Sequence, residues 1–484
     1  MTISAFNWVD GQWINSGVRL ESRCPSTGEL LGTYADGSVR EAELAVAAAK
    51  RAFEETDWRR DRLLRANVLL ELAEIYEAHR EELVEILALE NGKLAKHAAF
   101  EVDMVPDKLR FYASVARTDY GRSLEVRPGV FSMVLRQARG VVGVIAPWNS
   151  PVVLTIRSLA PALAVGATAV VKVPGQSALI NYTTFRLWSQ ATKLPRGVIN
   201  GITGAHRAAN TYLVESADVA CISYTGSTAV GKSLSEAGAK TNTKFGHELG
   251  GKTPLIVFDD ADLDAVADGV TRAITTFNGE FCVTGGRILA QRGIADELRA
   301  ALKARFEALQ PGHSLDPASD IGPLIDKANV ARVDALVQTA ITAGAQVIVR
   351  GGAATESELA DGAFYHPTLL EASSDDLEIV QEEVFGPVAV FQIFDSEAEA
   401  VQHANATVYG LAASIWTTDG ARSLRVAREI DAGTVWINDW GHIYDECEEG
   451  GFKDSGLGRM NGLAVLEDFV EYKHITLNAG MVGR

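Results

Sequence analysis

A cysteine and a glutamate, a few dozen residues apart, carry the most chemistry in this chain. Cys282 ends the segment Phe277-Asn278-Gly279-Glu280-Phe281-Cys282, and Glu248 lies in His247-Glu248-Leu249-Gly250-Gly251-Lys252. A thiol that attacks a carbonyl needs a partly exposed setting that lowers its pKa, and the thioester it forms then needs a base to activate water. A carboxylate suits that second task. Glycines beside both residues let backbone or substrate approach closely, which a packed core strand does not require. Together these residue types point to a covalent acyl-enzyme.

Other segments add candidate partners. Ser223-Tyr224-Thr225-Gly226-Ser227-Thr228 reads as a strand end opening a Ser/Thr-capped helix toward Ala237. Free N–H groups and the positive dipole end there suit a pyrophosphate. Read as residues alone, the remaining candidates have ordinary alternatives. Asn149 fits a turn after Pro147-Trp148, Glu248 a solvated helix-end carboxylate, and Cys282 a buried apolar cysteine. Lys172 fits a side chain snorkelling from the strand Ala169-Val170-Val171, while Glu383 fits a surface acid and Phe385 a core ring.

Positioning such groups needs a large scaffold, and 484 residues suffice for two or three domains. Apolar runs such as Val141-Val142-Gly143-Val144-Ile145 and Pro254-Leu255-Ile256-Val257-Phe258 alternate with amphipathic stretches, which predicts an α/β fold with largely parallel sheets. Helical spacing predicts two N-terminal helices, over residues 41–53 and 62–91, the second stopped by Asn91-Gly92. Residues 123–137 read as a hairpin around Arg127-Pro128-Gly129, and residues 469–477 as a closing strand. Neither run has an evident partner nearby in sequence, and exposed edges invite association unless the two form a small sheet within one subunit.

A net charge of −18 disfavours non-specific nucleic-acid binding. The segment from Met1 to Phe6 has no basic stretch followed by an apolar one, and no apolar run approaches membrane-spanning length, so neither export nor a membrane is expected. A cytoplasmic location is the default. Cys24, Cys221, Cys282 and Cys447 are widely spaced without a C-x-x-C pair, which argues against a disulfide framework and a metal site.

With Pro147-Trp148-Asn149, Thr225-Gly226-Ser227-Thr228-Ala229-Val230-Gly231, Glu382-Glu383-Val384-Phe385-Gly386-Pro387, Tyr409-Gly410-Leu411-Ala412 and Ser455-Gly456-Leu457-Gly458-Arg459 in order, the chain resembles the aldehyde dehydrogenase superfamily over nearly its whole length. The resemblance implies a doubly wound NAD(P)-binding domain over residues 1–120 and 140–248. It implies a second α/β catalytic domain over 249–463 and a small β oligomerisation arm over 121–139 and 464–484, hence a homodimer or homotetramer. It implies oxidation of an aldehyde substrate to the acid, with Cys282 as nucleophile, Glu248 as base for thioester hydrolysis and Asn149 as oxyanion donor. Trp148, Gly226, Ser227, Gly231, Leu249, Glu383 and Phe385 are then cofactor-binding, and Lys172 contacts the adenosine ribose. Three residues on, Gly175 stands where NAD-preferring members carry a Glu, so both NAD and NADP are expected to serve. Phe277 and Glu280 replace the usual Asn and Gln ahead of the cysteine.

Arg157 stands where several relatives have a tunnel-lining aromatic. An Arg there is similar to succinic semialdehyde dehydrogenases and to salicylaldehyde and vanillin dehydrogenases, since a guanidinium suits either a carboxylate or a ring. The acidic run Asp445, Glu446, Glu448 and Glu449 repels a carboxylated substrate, which favours an aromatic or hydroxylated aldehyde over succinic semialdehyde. The alternatives are an Arg157 paired structurally with one of these acids and, in another class, a non-catalytic binding or structural relative.

Overall fold

The computed structural model describes residues 3–356 and 358–482. Met1 and Thr2, the start of the segment from which no export is expected, and residues 483–484, the end of the expected arm, lie outside the described residues.

The apolar runs assemble into two large, mostly parallel sheets. The first orders its strands Gly456–Leu457, Lys244–Glu248, Val219–Thr225, Val141–Ile145, Thr168–Pro174, Ile199–Gly204, Asn7–Val9 and Gln12–Ile14. Its middle five are parallel. Alternate residues feed opposite cores: Val142, Val144, Ala169 and Val171 face one cluster, and Val141, Ile145 and Val170 the other. That double burial explains why these strands read as continuous apolar runs. The chain winds outward in both directions from Val141–Ile145, so the carboxyl ends at Ile145 and Thr225 flank the crevice where open α/β sheets bind ligands.

The second sheet runs Gln346–Val349, Thr368–Glu371, Val388–Phe394, Arg287–Gln291, Pro254–Val257, Ala412–Trp416 and Thr434–Ile437. It starts shortly after Glu248, the last residue of a strand in the first sheet, and Cys282 precedes its strand Arg287–Gln291. The junction between the sheets is therefore where thiol and carboxylate can meet.

One expectation needs correction. The helix over 62–91 is two helices, Arg62–Ala78 and Arg80–Asn91, split at His79, whose Nδ1 bonds the Ile75 carbonyl at 2.9 Å and competes with the regular ladder. The hairpin and the closing strand, which have no partner nearby in sequence, pair with each other. Arg122–Arg127, Val130–Ala138 and Val470–Asn478 form a three-stranded sheet, with Val470–Asn478 antiparallel to the whole of Val130–Ala138. Gly129, at φ +75° in the turn, lets Ala479 N donate to its carbonyl at 2.8 Å. Leu124, Val126, Tyr472 and Leu477 on this sheet remain exposed.

Candidate active site

Two cavities converge on Cys282 and Glu248, both of which line each of them. One, of about 430 Å³, is lined by Val153, Leu154, Phe281, Val283, Leu411, Trp436, Ile443 and Tyr444, with Arg157 and Glu449 in its wall and Asp107 and Glu446 among its acidic groups. The other, of about 360 Å³, is lined by Trp148, Asn149, Gly226, Ser227, Leu249, Glu383 and Phe385. A larger cleft of about 540 Å³ lies against the arm and is lined by Arg59, Arg62, Arg65 and Arg136; it does not include these groups.

The loop that presents Cys282 is held in an unusual backbone. Phe277, Asn278 and Gly279 are all left-handed, at φ 49°, 59° and 76°. A Cβ on Gly279 would lie 2.4 Å from the Gly386 carbonyl carbon, so that glycine is sterically required. Asn278 anchors the turn by donating to the carbonyls of Gly92 and Pro323 and accepting from Gly322 N at 2.8 Å. Phe277 adopts a conformation costly for a bulky residue. Its ring lies 3.9 Å from the Lys93 ammonium and edge-on to Phe281. Glu280, standing for Gln, turns away from the cavities and accepts from Ile325 N at 3.1 Å and Asn329 Nδ2 at 2.5 Å. Burial pushes its carboxyl up to about 8, so at neutral pH it is largely a neutral acid, close in shape to the amide it replaces.

Burial also pushes the Cys282 thiol well above its ordinary value, reinforced by the Glu248 charge and opposed by Arg157. The sequence expectation of a lowered thiol pKa is not met in this state, because the pocket desolvates the sulfur beside carboxylates. Glu248 is pushed up to about 7, first by burial, with Arg157 pulling down and Glu449 pushing up. Its Oε1 makes no hydrogen bond among the described residues, leaving lone pairs open beside Gly450, where a Cβ would lie 3.1 Å away.

Asn149 enters through a buried ion pair. Lys93 Nζ donates to Glu101 at 2.5 Å and to the Asn149 carbonyl at 2.6 Å, and Glu101 accepts from Val152 N and Val153 N at the start of helix Pro151–Val165. The Asn149 amide donates to the Glu280 carbonyl at 3.0 Å, which uses one of its two hydrogens.

The second cavity suits a nicotinamide dinucleotide. Ser227 stands at the N-terminus of helix Thr228–Gly238 without a side-chain cap, so the first N–H groups are open to an anion. Gly231 lacks a Cβ that would meet Leu249 at 2.6 Å, so it packs the helix onto the site. Trp148 lies edge-on to Phe385 at 5.5 Å, and Glu383 accepts from Gly251 N at 3.1 Å. Lys172 and Gly175 lie further along the sheet edge, outside this cavity. Lys172 Nζ donates to the Gly204 carbonyl at 2.8 Å, and the direction a side chain at Gly175 would take is filled by the Tyr34 hydroxyl, 2.1 Å from an ideal Cβ. Asn329 and Arg332 also line the cavity; they come from helix Lys327–Thr342, and nothing local in sequence marks them.

Arg157 is buried, and two of its three guanidinium nitrogens are engaged, Nε having no partner among the described residues. NH1 donates to Glu449 at 2.8 Å and lies 3.4 Å from Glu248, while NH2 donates to Thr225 Oγ1 at 3.0 Å. Of the acidic run, Asp445 pairs with Lys108, and Glu448 accepts from Leu463 N and Ala464 N at 3.1 Å. Among the described residues no cluster of His, Cys, Asp and Glu is arranged to hold a metal ion, and no helix is long and apolar enough to cross a membrane.

Residues 13–475 match the family model described as "Aldehyde dehydrogenase family". The chain is 36% identical to the mitochondrial succinate-semialdehyde dehydrogenase of Arabidopsis thaliana, covering 97% of this chain and 88% of that one. It is 35% identical to the phenylacetaldehyde dehydrogenase of Pseudomonas fluorescens, covering 97% and 95%. The crystal structure of betaine aldehyde dehydrogenase from Staphylococcus aureus in complex with NAD+ superposes with a TM-score of 0.96 at 32% identity, covering 99% of this chain and 96% of that one.

Proposed function

The chain belongs to the aldehyde dehydrogenase family, and we propose that it oxidises an uncharged aromatic or hydroxylated aldehyde to the carboxylic acid through a thioester on Cys282. It is an NAD(P)-dependent enzyme, and the non-catalytic alternative falls away. The observation that carries the substrate reading is the state of Arg157: its guanidinium is held by Glu449 and Glu248 in a cavity whose apolar wall is Phe281, Trp436, Tyr444 and aliphatic side chains and whose other cation, Lys108, is paired with Asp445. A substrate carboxylate would enter past Asp107 and Glu446 to reach a cation already engaged. The likeness to the Arabidopsis enzyme keeps succinic semialdehyde as the second reading.

In the proposed mechanism the Cys282 thiol loses its proton to solvent and reacts as the thiolate, while Glu248, whose value near 7 suits it to accept a proton at neutral pH, is kept for thioester hydrolysis. The sulfur adds to the carbonyl carbon, and the developing oxyanion is met by the free Asn149 amide hydrogen and the Cys282 N–H. Donors placed in this way are each worth about 3 kcal/mol in the transition state. Trp148, Gly226, Ser227, Gly231, Leu249, Glu383 and Phe385 are the residues we assign to the cofactor, with Lys172 and Gly175 at the adenosine end; when bound, the cofactor supplies the hydride acceptor. Loss of hydride from the thiohemiacetal leaves the thioester. Ionised Glu248 takes a proton from water, the hydroxyl adds to the acyl carbon, the C–S bond breaks to return the Cys282 thiolate, and the acid departs as Glu248 gives its proton to solvent.

The same proposal divides the labour among the cofactor-binding segments (1–120 and 140–248), the catalytic segment (249–463) and the arm (121–139 and 464–484). Exposed Leu124, Val126, Tyr472 and Leu477 suit the arm to pairing in a homodimer or homotetramer. A cytoplasmic setting accords with four cysteines that stand free in the fold.

Steady-state rates test the substrate reading. Benzaldehyde-type substrates should show higher kcat/KM than acetaldehyde or succinic semialdehyde. A preference for succinic semialdehyde by more than about tenfold, ~1.4 kcal/mol in transition-state binding, would replace it with carboxylate recognition.

A further inference from the structure

We propose that Glu449 is a specificity-determining residue: its carboxylate occupies the place on Arg157 that a substrate carboxylate would take, and so closes the site to carboxylated aldehydes. The inference rests on the uncharged-substrate reading and names the group that enforces it.

Three observations converge on it. Arg157 and Glu449 both line the cavity that contains Cys282, and the guanidinium donates to Glu449 at 2.8 Å, closer than its 3.4 Å approach to Glu248. Glu449 is itself fixed. Its side chain accepts from Asn461 Nδ2 at 3.1 Å, and Asn461 Oδ1 accepts from Lys108 Nζ at 2.7 Å. The Glu449 backbone exchanges hydrogen bonds with Met460 at 2.9 and 2.8 Å, so moving the carboxylate aside would disrupt a buried network. The charges also matter. One guanidinium already faces two carboxylates, and an entering carboxylate would be a third in a poorly solvated wall.

Removing the Glu449 charge should reverse this. In Glu449→Gln the amide oxygen can still accept from Arg157 and Asn461, but it carries no charge, so an entering carboxylate competes for the guanidinium against a neutral acceptor instead of an anion. A substrate carboxylate would then restore the charge count of the parent site.

The test measures kcat/KM for succinic semialdehyde and for benzaldehyde in the parent enzyme, Glu449→Gln, Glu449→Asp and the double variant Arg157→Ala/Glu449→Gln, with melting temperatures alongside. Glu449→Gln retains an acceptor for Asn461. It should raise the succinic semialdehyde to benzaldehyde ratio by about tenfold or more, and the double variant should lose that gain. Glu449→Asp, which keeps the charge, should stay within about threefold of the parent ratio. An unchanged ratio in a folded Glu449→Gln enzyme overturns the inference, as does an equal rise in Glu449→Asp, which would mean that any disturbance of the loop suffices. If the parent enzyme itself prefers succinic semialdehyde, the substrate reading fails; if it prefers benzaldehyde and Glu449→Gln does not alter the ratio, this inference alone fails.

Discussion

The two cavities that meet at Cys282 are built by different means. On the cofactor side the main shaping elements are backbone-built, namely the turn after Thr225, the open helix start at Ser227, and Gly226 N bonded to the Glu248 carbonyl at 3.0 Å, with Asn329 and Arg332 added from a distant helix. On the substrate side the shaping element is a side-chain network running from Arg157 through Glu449 and Asn461 to Lys108 and Asp445, groups drawn from distant parts of the chain. A site made of backbone turns constrains residue types at fixed spacing and leaves a motif. A site made of charges constrains only which partners meet, and leaves none.

The largest expected effect that sharpens this contrast is at Gly175, where the cofactor side is limited by packing. Because the Tyr34 hydroxyl fills the side-chain direction, Gly175→Glu alone should raise KM for both NAD and NADP by about tenfold, an overpacking penalty of roughly 1–3 kcal/mol. Combined with Tyr34→Ala, the same glutamate should shift the ratio of specificity constants toward NAD by about threefold or more. A shift of that size from Gly175→Glu alone would show that Tyr34 yields readily and that packing does not control this end.

A smaller effect is expected at Glu280, whose carboxyl burial raises from the ordinary 4.5 to about 8. A raised folded-state value means that the fold favours the protonated acid. That contribution is complete below about 4.5 and is lost as pH rises through about 8. Glu280→Gln should therefore melt at the same temperature as the parent near pH 5 and about 1–3 °C higher above pH 8. Parallel melting curves across that range would contradict a neutral Glu280.

Much of the backbone-built half was legible in the sequence. Gly226 and Ser227 follow a strand and open a helix as their types demand, and the parallel sheets were foreshadowed by apolar runs such as Val141–Ile145. His79 was not, because helical spacing continues through it and only its ring bond to Ile75 reveals the break. The pairing of the hairpin with the closing strand was foreseen only through the resemblance that joins them in one arm, since strand partners more than three hundred residues apart share no local signal. The acidic run, read as a repulsive mouth, instead turns Asp445 to Lys108, Glu448 to backbone N–H groups and Glu449 to Arg157, which was itself visible as a charge. Which acid would hold it was not, because Glu448 and Glu449 are neighbours that turn to different partners. Asn329 and Arg332 gave no sign at all, sitting in an ordinary amphipathic helix.

The most direct test of the central claim, that Cys282 carries the acyl group and Glu248 releases it, is mass spectrometry of Glu248→Gln quenched after mixing with NAD and benzaldehyde. The account predicts a burst of reduced cofactor matched by an acyl adduct on the peptide containing Cys282, followed by turnover slowed by about 10²- to 10⁴-fold. Cys282→Ala should show neither burst nor adduct. A burst without an adduct on Cys282, or unslowed turnover by Glu248→Gln, would contradict it.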